Sequence, residues 1–179
     1  GDWSSDVCSS DLSGKTLAEL QQKRPQSPAA RVGLALLRDK EGRRAEGSAL
    51  LWEALRSDAN HPDALHGWLQ WEHERLGDAG FPAALDAACD LAGAWRAKLW
   101  RMRRAFEQQR IDDGIADLRA VMALAADESD VLIMAASDLQ RVGRHELVAE
   151  LVQPRYRIER HHPNVGLLLL QHFVATKQP

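Results

Sequence analysis

From Ala29 onward, apolar residues return at every third or fourth position: Leu50, Leu51, Ala54 and Leu55 in one stretch, Ile115, Leu118 and Val121 in another. That spacing lays them along one face of an α-helix, and no stretch alternates with the period of two that a strand requires. Gly42, Pro62, Gly77, Pro82, Gly143, Pro154 and Pro163 interrupt the pattern. They cut it into helices of about ten to sixteen residues, ordinary globular lengths. The expected fold class is all-α.

The helices also repeat. Leu51, Leu85, Leu118 and Val152 are 34, 33 and 34 residues apart. Ala54, Ala88, Val121 and Arg155 keep the same spacing three residues later, and Gly47, Phe81, Gly114 and Val148 keep it four residues earlier. Leu132 and Gly166, and Gly143 and Lys177, are again 34 apart. A period of this length holding two helices is the mark of stacked helical hairpins. Burial explains it: one hairpin cannot cover its own apolar face, so neighbours share a continuous core.

The segment RIDDGIADLRAVMALAAD resembles the second helix of a tetratricopeptide repeat, with Gly114, Leu118 and Val121 in its small, large and small-to-medium positions. LIMAASDLQRVGR is similar to the first helix and its turn, through Leu132, Ala135, Ala136, Leu139 and Gly143. Residues 29–55 fit a further unit with Ala35, Gly42, Gly47, Leu51 and Ala54. The resemblance places repeats at about 28–61, 62–94, 95–128 and 129–162, with 163–179 as the first helix of a fifth. It implies a right-handed superhelix of helical hairpins whose first helices line a concave groove. Departures from the pattern are Phe81, the turn LGDAGFP, Gln109 at the turn glycine, Arg101 at an apolar position, and Arg155 beside Pro154. Proline disrupts a helix interior by about 3 kcal/mol, so the helix around Pro154 is expected to be bent or cut short.

Both ends read differently. GDWSSDVCSSDL, residues 1–12, has no helical or strand period, and its back-translation resembles a widely used short-read sequencing adapter. It is read as an artefact and excluded from the fold. Residues 13–28, with Pro25 and Pro28, read as a short polar helix and linker, and 29–179 as the repeat domain. With no initiator Met and an apolar helix running to the last residues, the chain is expected to be an internal fragment. A cytoplasmic setting is then favoured only slightly, since targeting signals would lie elsewhere.

Setting the first twelve residues aside changes the charge. The chain has 23 Lys+Arg and 26 Asp+Glu, and without Asp2, Asp6 and Asp11 the two are equal. Nothing global then points to nucleic acid, membrane or acidic partners. Cys8 also drops out, and Cys89 alone forms neither an internal disulfide nor a zinc site. SGKT at 13–16 lacks the preceding strand and glycine of a phosphate loop. His66 and His73 lack a third convergent ligand, and His161 and His162 read as solvated loop residues, so no metal and no cofactor are expected. No apolar run is long enough for a membrane span.

WRAKLWRMRR, residues 95–104, is the candidate binding element. Arg96, Trp100, Arg103 and Glu107 form one stripe of a helix, where arginines beside an indole suit carboxylates, phosphates or planar groups. The expected contact residues are His66, Gln70, His73, Arg96, Trp100, Arg103, Glu107, Gln140 and Arg141. No catalytic residue is assigned. The family's carboxylate-clamping set of Lys and Asn is absent, since the matching positions hold Leu36, His66, Arg103 and Gln140. The main expectation is a non-enzymatic scaffold for a protein or peptide. Trp68, Trp71, Trp100, Phe106 and Glu107 also resemble half-tetratricopeptide repeats, which would make the chain a scaffold of an RNA-processing assembly. Two more roles stand beside these: the repeat arm of a larger enzyme, by analogy of fold, and self-association through Leu167 to Leu170 and Phe173 of the last helix.

Overall fold

The computed structural model describes residues 27–176. The adapter-like residues 1–12, most of the polar segment 13–28, and Lys177 lie outside the described residues. The described chain is all-helical, without a strand among the described residues. Its helices are α1 (Pro28–Lys40), α2 (Arg44–Ser57), α3 (Pro62–Cys89), α4 (Arg96–Glu107), α5 (Ile111–Ala125), α6 (Ser129–Arg141), α7 (His145–Leu147) and α8 (Pro163–Thr176). The chain divides into two compact units between Ala92 and Gly93. No helix among the described residues is long and apolar enough to cross a membrane.

Helix starts recur with the period read from the sequence: α1, α3, α4, α6 and α8 begin at Pro28, Pro62, Arg96, Ser129 and Pro163, 34, 34, 33 and 34 residues apart. The three prolines sit at the first helical position, where the missing N–H costs nothing. Before each of them a side chain caps the helix. The Ser27 hydroxyl accepts from the Ala30 N–H at 3.2 Å, His61 Nδ1 from the Ala64 N–H at 3.3 Å, and His162 Nδ1 from the Asn164 N–H at 3.2 Å. α3 is interrupted at Gly77, whose φ of 65° and ψ of −173° are not helical. Its second arm therefore begins 34 residues after α2, and Pro82 lies in that arm's first turns.

In the first unit α1, α2 and α3 pack against one another. Gly47 on α2 lets the backbones close: a Cβ there would stand 2.8 Å from the Ala35 carbonyl oxygen and 2.9 Å from the Trp71 ring. Trp52 and Trp68 pack at 4.5 Å between centroids, over a core that includes Leu51, Leu55, Leu65, Leu69, Leu85 and the Cys89 thiol.

In the second unit α4 packs on α5, α5 on α6, and α6 on both α7 and α8. One core runs from Leu99 through Met102, Phe106, Leu118, Val121, Leu132, Leu139 and Val152 to Leu169. After α7 the chain winds into a π turn (Val148–Val152) and a 3-10 turn (Gln153–Arg155). Val148 occupies the position of Gly47 and Gly114, and Pro154 has no N–H to continue an α-helical ladder. The Gln153 N–H instead bonds Val148 O, one residue further back than in an α-helix. α8 differs in part from expectation. Leu169 is buried and Leu168 and Phe173 are half-buried, so the outward stripe is Leu167, Leu170 and Val174. Leu170 is 61% exposed, and any self-association through α8 rests on that stripe.

Three of the turns between helices share one backbone form. Gly42, Gln109 and Gly143 take φ of 74°, 61° and 72°. The N–H of the next residue then reaches back five positions: Arg43 to Arg38 O, Arg110 to Ala105 O and Arg144 to Leu139 O, each at 2.8 Å. This is the Schellman closure of a helix C-terminus, for which glycine is the natural left-handed residue. Gln109 is the one described non-glycine at positive φ. Gln109→Gly is therefore expected to stabilise the protein by about 1 kcal/mol. An unchanged urea midpoint would contradict that strain.

Candidate functional site

α4 buries Ala97, Leu99, Met102, Ala105 and Phe106 in the second unit's core and turns its arginines outward. Two of them, two residues apart and so on opposite sides of the helix, reach acids on different neighbours. Arg101 donates Nε and Nη2 to both oxygens of Asp117 on α5, at 2.8 and 2.7 Å. This explains an arginine at a position expected to be apolar: its partner is a nearly buried carboxylate.

Arg103 points the other way. Its Nε donates to Asp138 Oδ2 on α6 at 2.8 Å, and Arg141 Nη2, from the last turn of α6, donates to Oδ1 of the same carboxylate at 3.0 Å. The Asp138 side chain is 7% exposed, while Arg103 and Arg141 are about half exposed. One buried acid thus gathers two surface guanidinium groups, and the trio carries a net positive charge. Trp100, one turn before Arg103, is 42% exposed. Arg96 lies over the Trp95 ring at 4.5 Å, a cation–π contact.

The remaining expected contact residues fall as follows. Glu107 is exposed and Gln140 half-buried on the same unit. His66, Gln70 and His73 lie in the first unit, all exposed on α3. Gln70 Nε2 donates to Glu74 Oε1 at 3.1 Å, and His73 Nε2 meets Asp78 Oδ1 at 2.8 Å with its ring edge on Phe81. Arg103 and Arg141 are the pair of expected residues that one side chain joins. That side chain, Asp138, was missed because an aspartate inside a helix ordinarily faces water. An arginine 35 residues earlier, one period and a residue away, is the signal that could have found it.

A cleft of about 250 Å³ lies in the first unit, lined by Arg44, Ala45, Ser48, Trp71, Glu72, Glu74 and Arg75. The buried Glu72 carboxylate accepts from Ser48 Oγ at 3.1 Å and from Arg75, while Arg44 sits over Trp71 and pairs with Asp39 and Glu74. Its charges are matched within the cleft.

One histidine departs from the solvated state expected of it. His161 is buried: Nδ1 accepts from the Arg157 N–H at 2.9 Å, which leaves Nε2 protonated to donate to Ala126 O at 3.2 Å. His172 on α8 is also buried, stacked on His145 at 5.5 Å, and its Nε2 has no partner among the described residues. Burial pushes its pKa below the usual imidazole value, the neighbouring His145 charge adds to this, and a hydrogen bond with the His145 backbone opposes it. The folded state therefore binds this proton less readily than the unfolded chain. Its contribution to stability is complete above pH about 6.5 and lost as the pH falls below it. The melting temperature should drop between pH 7.5 and pH 5, by less in His172→Leu; equal drops would remove His172 as the cause.

Among the described residues, no three His, Cys, Asp or Glu side chains are grouped to hold a metal ion. No family model, curated protein or solved structure matches the chain.

Proposed function

We propose that the chain is a tetratricopeptide-type scaffold, a right-handed stack of helical hairpins that binds a protein or peptide along its first helices and carries out no chemistry itself. The observation that carries the reading is the surface shared by α4 and α6. There an exposed indole and two half-exposed guanidinium groups lie on the first helices of consecutive 34-residue units, and a buried acid holds the two arginines that would otherwise be loose in solvent. The recurrence of helix starts and the common turn geometry support the repeat assignment. Repeat arrays of this kind bind with extended surfaces set by the stacking of their units.

The test begins with partners identified by proximity labelling in cells. Reversing charge at Arg96 and Arg103 together should weaken those partners' binding. Reversing Arg119, whose pair with Glu150 is exposed on both sides, should leave it unchanged. Equal affinity in both variants would remove α4 from the binding surface. A catalytic domain in the same reading frame would make these repeats the arm of an enzyme.

A further inference from the structure

Resting on that reading, we propose that the α4–α6 surface takes its partner through a carboxylate side chain, seated on the outer edges of Arg103 and Arg141 beside Trp100. A guanidinium group offers five N–H donors in a planar fork. Arg103 spends its Nε on Asp138, and Arg141 spends Nη2. Among the described residues nothing else engages either group, so both Nη groups of Arg103, and Nε and Nη1 of Arg141, keep unused donors. The Nη1–Nη2 edge of Arg103 can grip a carboxylate in a two-pronged pair, and Arg141 adds single donors from Nε and Nη1.

Charge points the same way. α4 carries Arg96, Lys98, Arg101, Arg103 and Arg104 against Glu107 alone. Asp138 offsets one of the two arginines it gathers, and the partner's acid offsets the other. Because Asp138 already holds both side chains in place, a ligand meets donors whose ordering cost has been partly met in the fold. Glu107, one turn beyond Arg103, repels an acidic chain running that way and favours its path over Trp100.

The site fits a peptide acid better than a polyanion. Phosphate-backbone binding draws on a row of cations, whereas Arg101 is turned away onto Asp117 and Arg96 lies on Trp95. Outside residues 1–12 the chain's Lys+Arg and Asp+Glu are equal in number, so no overall positive charge draws a polyanion.

The experiment uses the full chain and fluorescence anisotropy with a labelled peptide alternating glutamate and leucine. A glutamine–leucine peptide and a single-stranded oligonucleotide serve as comparisons. The glutamate peptide should bind saturably and more weakly as salt rises, and Arg141→Gln should raise its Kd about tenfold. That variant leaves Asp138 paired with Arg103, and Arg141→Lys, which keeps the charge and loses the fork, should fall between the two. If the glutamine peptide binds as tightly, the carboxylate preference is wrong while the groove reading stands. If neither peptide saturates, both fall. If the oligonucleotide displaces the glutamate peptide at lower concentration, the site belongs to nucleic acid and the proposal is overturned.

Discussion

Gly114→Ala is expected to destabilise the second unit by about 1–3 kcal/mol, although alanine is the better helix former. The reason is the approach of α5 to α4. A Cβ on Gly114 would stand 2.3 Å from Cε1 and 2.4 Å from Cδ1 of Phe106. That ring is 1% exposed and surrounded by Leu99, Met102, Leu118 and Val121 in the same core, so it has nowhere open to move. Overpacking of this kind is met by a shift of backbone or an off-rotamer side chain. The effect should be coupled to the ring: in a Phe106→Leu background, adding Gly114→Ala should cost markedly less. Urea unfolding of the four proteins in that cycle measures the coupling, and additive losses would show that Phe106 does not set the spacing.

Arg101→Ala should cost about 2–3 kcal/mol, the second large effect. It leaves the Asp117 carboxylate nearly buried and without its two-pronged partner, and a stranded charge costs more than the pair contributes. Arg101 keeps about a third of its side chain in solvent, which holds the loss below that of a fully buried pair. Replacing both residues by leucine should restore most of the stability, since an apolar pair of similar volume serves a helix contact as well. Arg119→Ala, which breaks a pair exposed on both sides, should change stability by less than about 0.5 kcal/mol. Thermal or urea unfolding separates these cases. An Arg101→Ala protein as stable as the parent would mean that water reaches Asp117.

The helices and their spacing were legible because they rest on features that recur between units. Pro28, Pro62 and Pro163 mark first turns, Gly42 and Gly143 mark left-handed closures, and Gly47 and Gly114 mark close crossings. Gln109 was readable as a departure, and the backbone keeps the glycine conformation there regardless. What repetition hides is any feature that replaces the pattern once. Arg101 looked like a flaw in an apolar register because its acid stands 16 residues away across a turn. His161 looked solvated beside His162 and Pro163, yet its ring joins a carbonyl 35 residues earlier to its own loop. Of the candidate surface, periodicity placed Trp100, Arg103 and Arg141 on first helices. Asp138, which joins the two arginines, is visible only when α4 and α6 lie side by side.

The shared turn has a consequence for how such a chain changes length over evolutionary time. Arg43, Arg110 and Arg144 each close a first helix and open the next, and each pairs with an acid in that next helix: Glu46, Asp113 and Glu146. Joint, closing bond and ion pair are all contained in a few consecutive residues. A duplication or deletion of one whole period therefore carries its joint with it and leaves the flanking joints intact. An insertion of any other length rotates the following helix by about 100° per residue and turns its apolar face to water. Such a gene can gain or lose hairpins by unequal recombination far more safely than it can gain or lose single codons.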